Sequence, residues 1–263
     1  MIDRLRGRTA LVTGGGNGLG RAIAIALGEN GVHVILAGRT ADTLIATATL
    51  IADGGGDAQA AIVDVADAGS VAGLGEELAD EEISILVNNA GVAGPVAPLV
   101  DVDPDEWDAV FATNVRGTYL MCRAFLPPMI ARTASREWGR GDVINLASVS
   151  GKRPLARRTP YCASKMAVIG LTTTLAAEVG PLGISVNSLS PGPVRGPRMD
   201  RNFRLEAERL GVSVEAATDA FVSRALLGRL VEEVEVGQAV VAMLQMPGLH
   251  AADIDLSAGM VAR

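Results

Sequence analysis

A tyrosine and a lysine four positions apart, Tyr161 and Lys165, are the side chains of this sequence best suited to move a proton together. On a helix, residues at this spacing lie on one face about one turn apart, so the phenol and the ammonium can meet. A nearby ammonium favours the charged phenolate over the neutral phenol. The pair therefore predicts acid/base chemistry at Tyr161, provided that this segment is helical.

A second candidate site lies near the start of the chain, where Thr13–Gly20 reads TGGGNGLG. The apolar run TALV precedes the glycines and RAIAIAL follows them, which is typical of a strand, a tight turn and a helix. Such a turn gathers unpaired N–H groups at the positive end of the helix dipole, and glycines let a pyrophosphate approach the backbone. The segment predicts an anion site, with a tight turn that binds no ligand as the alternative.

The elements that must position these residues follow a repeating pattern. Short β-branched runs alternate with longer stretches rich in Ala and Leu, which is typical of a parallel sheet with helical crossovers. The strand-like runs are TALVT, VHVILAG, AAIVDV, ISILVNNAG, DVINLAS and ISVNSLSPG, and helices are predicted near 19–29, near 41–52, at DPDEWDAVF and after Tyr161. We expect one domain over residues 1–263, with a substrate lid at about 195–228 where the rhythm breaks.

Composition and charge exclude several classes of partner. The 263 residues are 49% hydrophobic and 3% aromatic, so the core must consist mainly of Ala, Val, Leu and Ile. Because 30 acidic residues outnumber 23 basic ones, giving a net charge of −7, no nucleic-acid partner is expected. No apolar run reaches the length of a membrane span, and the first residues lack the pattern of a signal peptide. We expect an unprocessed protein without a membrane partner.

Cysteines and histidines give no sign of a metal centre. Cys122 and Cys162 follow no metal-ligand spacing and provide no disulfide framework, which favours the reducing cytoplasm. His33 and His250 have no ligand partner at a plausible spacing. We expect both histidines to be structural and predict no catalytic metal.

The glycine spacing T-G-x-x-x-G-x-G resembles the cofactor turn of the classical short-chain dehydrogenases/reductases. Other motifs of that family follow in order, and Ser148 precedes Tyr161 by 13 residues, as in the family. The resemblance covers nearly the whole chain. Its motifs are Asp64-Val65, the NNAG of Asn88–Gly91, Asn114, Ser148, the YCASK of Tyr161–Lys165 and the SPGPV of Ser190–Val194.

The resemblance implies a Rossmann-type doubly wound parallel sheet with helices on both faces. It also implies an NAD(P)-dependent oxidoreductase that transfers a hydride between nicotinamide and a carbonyl or secondary alcohol substrate. Tyr161 would exchange the proton and Lys165 would hold the nicotinamide ribose. Ser148 would position the substrate oxygen, and Asn114 would interrupt its helix with a water that links Lys165 to solvent.

The same resemblance implies a set of cofactor contacts. Asp64 and Val65 would contact adenine, while the segment after Asn88 would line the adenosine side. Pro191, Gly192 and Val194 would flank the nicotinamide. The full set is Gly14, Asn17, Gly18, Leu19, Gly20, Arg39, Asp64, Val65, Asn89, Ala90, Gly91, Tyr161, Lys165, Pro191, Gly192 and Val194. Gly196 stands where the family commonly has a threonine, so a donor to the carboxamide is missing.

The end of the second predicted strand bears on the choice between NADP and NAD. An NAD site usually has an acidic residue there for the ribose 2′-hydroxyl, whereas this chain has Gly38 followed by Arg39. An arginine can pair with a 2′-phosphate through two hydrogen bonds, which favours NADP. Asn17 stands where many NADP enzymes of the family have a second basic residue, so NAD stays open.

Two alternatives to this function stay open. A non-catalytic dinucleotide-binding regulator or sensor is the main alternative to an enzyme, and an epimerase or dehydratase on a similar fold is a minor one.

The family's packing of long helices implies a homotetramer. The basic residues near the site predict an anionic group on the substrate, unless they pair with acids or water. These residues are Lys152, Arg153, Arg157, Arg158, Arg195, Arg198, Arg201 and Arg204.

Overall fold

The structure, a computed structural model, describes residues 4–133 and 140–261, apart from the side chain of Arg198. Within these ranges seven strands pair in parallel, in the order β3-β2-β1-β4-β5-β6-β7. The predicted parallel sheet is therefore confirmed. The strands are β1 (Thr9–Thr13), β2 (His33–Gly38), β3 (Asp57–Ile62), β4 (Ile83–Asn88), β5 (Gly141–Leu146), β6 (Ile184–Pro191) and β7 (Asp253–Leu256).

Helices cover both faces of this sheet. Apolar residues of α1, α2 and α9 form one core with the strands, and those of α3, α5 and α6 form a second core on the opposite face. No helix in the described part of the chain is long and apolar enough to cross a membrane. The helices are α1 (Gly18–Glu29), α2 (Ala41–Asp53), α3 (Ala68–Glu77), α4 (Pro104–Phe111), α5 (Gly117–Ala131), α6 (Thr159–Val179), α7 (Pro197–Leu210), α8 (Val214–Val222) and α9 (Glu233–Leu244).

The strand order creates a crevice at the carboxyl end of the sheet. The chain runs from β1 outward to β3, and then returns to the other side of β1 with β4. Helices therefore leave β1 and β4 toward opposite faces, and the ends of these strands stay uncovered between them. The doubly wound fold thus predicts a ligand site at the ends of β1 and β4.

The third strand begins earlier than the sequence pattern predicts. The run AAIVDV predicts a strand over residues 60–65 that ends with Asp64 and Val65, whereas β3 extends over Asp57–Ile62. β3 is an edge strand, and its pairing starts at Asp57 because the partner strand β2 starts opposite it. Partner register, rather than the local apolar run, therefore fixes its extent. Asp64 and Val65 lie in the loop that follows.

A buried ion pair joins three strands at the opposite, amino end of the sheet. Nη2 of Arg8 lies 2.8 Å from Oδ2 of Asp142, and its Nε donates to Oγ of Ser84 at 3.0 Å. Arg140 approaches the other carboxylate oxygen of Asp142 at 2.9 Å. Because Arg8 and Asp142 are both buried, losing the Asp142 carboxylate would remove the negative charge that faces the Arg8 guanidinium in the core.

Helices α1 and α9 pack closely side by side. A Cβ atom at Gly237 of α9 would lie 2.6 Å from the Ala22 carbonyl oxygen and 2.9 Å from the Ala26 methyl carbon. Only a glycine allows this separation between the two helices. The contact helps to hold the first turn of α9 near the first turn of α1.

Two helices stand between β6 and α9 in the segment that breaks the βα rhythm. Phe203 of α7 and Phe221 of α8 pack edge to face, with ring centroids 5.5 Å apart. This aromatic contact and the left-handed turn at Gly211 (φ 67°) join α7 and α8 into one unit.

Candidate active site

The glycine turn between β1 and α1 has no room for side chains. A Cβ atom at Gly20 would lie 2.1 Å from the Gly14 carbonyl oxygen, and one at Gly14 would lie 2.9 Å from Nδ2 of Asn89. Gly14 and Gly18 have φ values of 67° and 51°, as the sequence predicts for such a turn. Asn17 precedes α1, but its side chain makes no capping hydrogen bond within the described chain. The N–H groups of the first helical turn can therefore face an anion.

A hydrogen-bonded lock joins this turn to the end of β4. Oγ1 of Thr13 accepts from the Asn89 and Ala90 N–H groups at 2.9 and 3.0 Å. Nδ2 of Asn89 donates in return to the Thr13 carbonyl at 2.9 Å. The family resemblance predicts that Asn89 belongs to the segment lining the adenosine side, and the sequence places Thr13 in the glycine motif. It does not show that the Thr13 hydroxyl carries the contact.

Two side chains that the sequence analysis missed fix the carbonyl of Gly16. Nη2 of Arg21 donates to this oxygen at 2.6 Å, and Oγ1 of Thr47 donates to it at 3.2 Å. Arg21 and Thr47 also bond each other at 3.1 Å. Thr47 lies on α2, 31 residues after Gly16, so no local pattern indicates this contact.

A cleft at the ends of β1, β2 and β4 unites seven of the sixteen predicted cofactor residues. These are Gly14, Asn17, Arg39, Asp64, Val65, Ala90 and Gly91. Gly16 of the glycine turn and Gly38 at the end of β2 also line it, together with residues that the sequence did not indicate, namely Thr40, Thr43, Leu44, Val63, Val92 and Thr113. The other predicted cofactor residues do not line this cleft. They are Gly18, Leu19, Gly20, Asn89, Tyr161, Lys165, Pro191, Gly192 and Val194.

Arg39 and Asp64 stand at the outer part of this cleft. Arg39 is exposed, and it has no hydrogen-bond or ion-pair partner among the residues that the structure describes. Asp64 is held in its loop, because Oδ1 accepts from the Ala66 N–H at 3.0 Å and its own N–H donates to Ser70 at 3.0 Å. The Arg39 guanidinium is therefore available to bind an anionic group.

Lys165 and Tyr161 meet on one face of α6, as their spacing predicts. Nζ of Lys165 lies 5.9 Å from the centroid of the Tyr161 ring. Lys165 is buried, with 6% of its surface exposed, and Nζ donates to the Leu146 carbonyl at 2.7 Å. The end of β5 therefore fixes the ammonium beside the phenol.

Asn114 lies in a π-helical segment, Ala112–Arg116, between α4 and α5. Its buried amide accepts from the Val92 N–H at 2.8 Å and donates to the Val92 carbonyl at 3.0 Å and to Ser164 at 2.9 Å. A Cβ atom at Gly91 would lie 3.1 Å from Oδ1 of Asn114 and 3.5 Å from Nζ of Lys165. The predicted helix interruption is present, and it brings Asn114 to the same point as Lys165.

Ser148 follows β5 at a buried position near the loop after β6. Its Oγ accepts from the Ser150 N–H at 3.1 Å and lies 3.5 Å from the Pro191 carbonyl oxygen. A Cβ atom at Gly151 would lie 2.9 Å from the backbone of Lys165 on α6. The Ser148 loop therefore packs directly on the helix that carries Tyr161.

The loop of residues 191–196 is fixed from both sides. The Gly192 N–H donates to the Leu256 carbonyl at 2.7 Å, while Val194 pairs with Val231 in a short parallel bridge. Gly196 has a φ of 152°, a conformation that favours glycine. This geometry explains why the family threonine is absent from position 196.

Most of the basic residues near the site already have partners in the chain. Lys152 pairs with Asp253 at 2.5 Å and also with Asp255. Burial lowers the pKa of the Lys152 ammonium, but hydrogen bonds to the two carboxylates raise it more, so the net shift is upward. The remaining contacts are Arg153 to the Met260 carbonyl, Arg157 to the Val96 carbonyl, Arg158 to Asn202 and Arg195 to Glu232.

Two members of the basic set stay exposed, and a third is outside the description. Arg201 and Arg204 have no hydrogen-bond or ion-pair partner in the described ranges. The side chain of Arg198 lies outside the described residues. Fewer basic side chains near the site are therefore available to a substrate than the sequence suggests, because Lys152 and Arg195 are paired with acids.

Each histidine has a partner within the fold. Nδ1 of His33 lies 2.8 Å from Oδ2 of Asp57, and Nε2 of His250 lies 3.1 Å from the Ala176 carbonyl oxygen. Residues 4–133 and 140–261 contain no group of three or more His, Cys, Asp or Glu side chains that could hold a metal.

The chain is similar to proteins of known activity over most of its length. A sequence model of the family described as short chain dehydrogenase matches residues 8–208. A sorbitol dehydrogenase of Cereibacter sphaeroides is 40% identical over 200 residues, covering 75% of this chain and 74% of that protein. An actinorhodin polyketide ketoreductase variant with NADPH matches with a TM-score of 0.90 and 29% identity, over 97% of this chain and 98% of that one. NAD⁺-bound xylitol dehydrogenase matches with a TM-score of 0.90 and 26% identity, over 97% and 99%.

The glycine turn gives a sharp test of the cleft. We expect Gly20→Ala to abolish binding of NADP and NAD, because its methyl carbon would displace the Gly14 peptide 2.1 Å away. Isothermal titration calorimetry with each cofactor measures this loss. Gly73→Ala, on the exposed face of α3 with no heavy atom within 4 Å, is the matched control and should leave both affinities unchanged. Equal affinities for wild type and Gly20→Ala would contradict the prediction.

Proposed function

The chain belongs to the short chain dehydrogenase family and is an NAD(P)-dependent oxidoreductase, and from this premise we propose that Tyr161 is the acid/base of its reaction. The reaction transfers a hydride between nicotinamide and a carbonyl or secondary alcohol. The observation that carries the assignment is the buried Nζ of Lys165, 5.9 Å from the centroid of the Tyr161 ring. The proposed catalytic set is Asn114, Ser148, Tyr161 and Lys165.

The residues of the cleft fit a dinucleotide. Gly14 and Gly20 form a cradle that any Cβ atom would fill, directly at the start of α1. Peptide N–H groups and the helix dipole favour a pyrophosphate there. We assign the adenosine half to the cleft lined by Arg39, Asp64 and Val65, and the nicotinamide half to the loop 191–196. When bound, the cofactor exchanges a hydride with the substrate carbon.

Tyr161 donates or accepts the proton at its phenolic oxygen. The Leu146 carbonyl accepts from the Lys165 ammonium at 2.7 Å and fixes this positive charge one helical turn from Tyr161. Because Lys165 is buried, water screens its charge less than it would at the surface. Lys165 would also hold the ribose hydroxyls of the cofactor.

Ser148 holds the substrate oxygen beside Tyr161. Since its Oγ accepts from the Ser150 N–H at 3.1 Å, the hydroxyl proton can be donated to the substrate oxygen. Among the described residues its other hydrogen bond is a long one, 3.5 Å to the Pro191 carbonyl, so little is lost when the hydroxyl rotates. Ser148 therefore acts by positioning and polarising the substrate.

Asn114 organises the inner wall of the site. Its amide binds the backbone of Val92 and Ser164, which joins the loop after β4 to α6. A water held beside this π-helical segment would connect Lys165 to solvent and return the proton. Asn114 therefore supports the proton path and does not contact the substrate carbon.

The cofactor is NADP or NAD, and we propose a preference for NADP. Gly38 provides no carboxylate for a ribose 2′-hydroxyl, and Arg39 lines the cleft at that strand end without a partner in the described chain. A guanidinium can bind a 2′-phosphate through two hydrogen bonds. The exposure of Arg39 limits the gain, because water screens the charge.

We also propose a substrate with an anionic group, bound by the arginines of the lid. Arg201 and Arg204 of α7 are exposed and have no hydrogen-bond or ion-pair partner among the described residues. Residues 195–228, which include α7 and α8, would form this lid. A hydrogen bond from Arg158 to Asn202 at 2.6 Å joins α7 to the residues just before Tyr161. The lid would therefore be coupled to the helix that carries Tyr161.

The oligomeric state and the cellular location are further proposals. Tyr119 on α5 and Met166 on α6 are large side chains with 48% and 47% of their surfaces exposed. Exposed apolar surface on two long helices supports a homotetramer that buries both.

Cys122 and Cys162 are free thiols, which supports a cytoplasmic location.

Replacing Tyr161 tests the proposed mechanism. Tyr161→Phe removes only the ionisable oxygen, so kcat should fall by about 10²-fold to 10⁴-fold while the Kd for NADP stays within about twofold of wild type. Steady-state absorbance at the nicotinamide band, across a panel of ketones and alcohols, gives kcat. The other tyrosine, Tyr119, is the matched control, and Tyr119→Phe should keep wild-type turnover. Wild-type turnover by Tyr161→Phe would refute the assignment.

Replacing Arg39 tests the cofactor preference. Arg39→Ala should weaken NADP binding by roughly tenfold and change NAD binding little, since only NADP carries the 2′-phosphate. Equilibrium titrations at fixed ionic strength give both Kd values. Arg209→Ala, which removes an exposed arginine of the lid that pairs with Glu206, controls for net charge. Tighter binding of NAD than of NADP by wild type would overturn the preference.

A matched pair of ketones tests the anionic substrate. If lid arginines bind a carboxylate, kcat/KM for a carboxylated ketone should exceed that for its neutral counterpart by about threefold to tenfold. The preference should shrink for Arg204→Ala and at high salt, where exposed charges are screened. A higher kcat/KM for the neutral ketone would exclude the proposal.

A further inference from the structure

Three glutamates surround the start of α9, and one of them differs from the others. Glu232 pairs with Arg195 at 2.9 Å, and Glu235 pairs with Arg229 at 2.6 Å. The half-buried Glu233 has no hydrogen-bond or ion-pair partner in residues 4–133 or 140–261. A carboxylate that is partly removed from water without a partner points to a role toward a ligand.

The Glu233 carboxylate borders two parts of the cofactor site. Its Oε1 lies 2.9 Å from the position that a Cβ atom would take at Gly196, and 3.8 Å from that position at Gly18. Gly18 begins α1 at the glycine turn, and Gly196 ends the loop that flanks the nicotinamide. The carboxylate therefore stands between the turn and this loop.

The fold holds Glu233 at this point through two independent contacts. The bridge between Val194 and Val231 ties the nicotinamide loop to the residues just before α9. The close packing of α9 on α1, which Gly237 permits, holds the helix itself. These contacts fix the backbone of Glu233, from which its carboxylate reaches the space between the turn and the loop.

Gly196, which stands where the family commonly has a threonine, leaves room for the unpaired Glu233 carboxylate. A side chain at position 196 would meet Oε1 of Glu233 at 2.9 Å, and the backbone there, with φ of 152°, favours glycine. We propose that Glu233 takes the place of that threonine toward the nicotinamide and favours the oxidised cofactor over the reduced one. This inference rests on the proposed position of the nicotinamide beside loop 191–196.

The charge of the nicotinamide ring gives the preference its sign. The ring is cationic in NADP⁺ and neutral in NADPH, whereas the pyrophosphate and 2′-phosphate are the same in both. A nearby carboxylate attracts only the cationic ring, so the ratio of the two Kd values isolates this contact from any repulsion of the phosphates. Since the bound oxidised ring is stabilised relative to the reduced one, bound NADPH becomes the stronger hydride donor, and the hydride-transfer step on the enzyme shifts toward carbonyl reduction.

Titrations of NADP⁺ and NADPH test the proposal without turnover. We expect Glu233→Gln, which keeps the shape but removes the charge, to raise the Kd for NADP⁺ relative to that for NADPH by roughly fivefold to tenfold. Glu29→Gln, at the exposed end of α1, is the matched control for net charge and should leave the ratio at its wild-type value. Thermal unfolding of each variant verifies that the fold is retained.

The remaining outcomes all overturn the proposal. An unchanged ratio means that the carboxylate does not reach the nicotinamide. Equal tightening of both cofactors by Glu233→Gln means that Glu233 repels the pyrophosphate instead. If wild type binds neither NADP nor NAD in either redox form, the proposed cofactor site itself fails, whereas normal wild-type binding with an unchanged ratio rejects the role of Glu233 alone.

Discussion

The close approach of the first turn of α1 to the Gly14 peptide after β1, which no Cβ atom would allow, is the constraint on which the rest of the site depends. Gly20 approaches the Gly14 carbonyl so closely that a Cβ atom would lie 2.1 Å from it, and Asn89 closes the same space. The Thr13 hydroxyl then ties both strand ends together. Because the backbone itself forms the wall of the cleft, peptide N–H groups rather than mobile side chains face the anion, and binding needs little ordering of the protein.

A second constraint is the burial of Lys165. An ammonium removed from water needs polar partners, and the Leu146 carbonyl provides one from the end of β5. Because Gly91 has no side chain, Oδ1 of Asn114 and Nζ of Lys165 can lie 3.1 Å and 3.5 Å from the position that a Cβ atom would take there. The strands therefore do more than support the helix that carries Tyr161. Their carboxyl ends supply the carbonyl and the space that fix the Lys165 ammonium on the same face of α6 as Tyr161.

Charged side chains divide into those that hold the fold and those that face ligands. Lys152 binds two carboxylates of β7, and Arg8 and Asp142 clamp the amino ends of three strands. These pairs fix loops and strands, but they leave no charge for a substrate. Arg39 and Glu233 have no such partners in the described residues, and both border the proposed cofactor site. Closeness to the site in sequence therefore does not show which charged side chains can bind a ligand. That depends on whether the side chain already has a partner within the fold.

The sequence by itself determined the features that depend on neighbouring residues: the alternation of strands and helices, the glycine turn, and the meeting of Tyr161 and Lys165 one helical turn apart. Local backbone geometry dictates these relations, whatever the rest of the chain does. The extent of β3, the partners of Lys152 and the support of Gly16 by Thr47 were decided only by the tertiary structure. Each depends on strand register or on contacts between residues far apart in the chain, 101 positions for Lys152 and Asp253. Such contacts form because the sheet order brings distant segments together, and no local pattern encodes them.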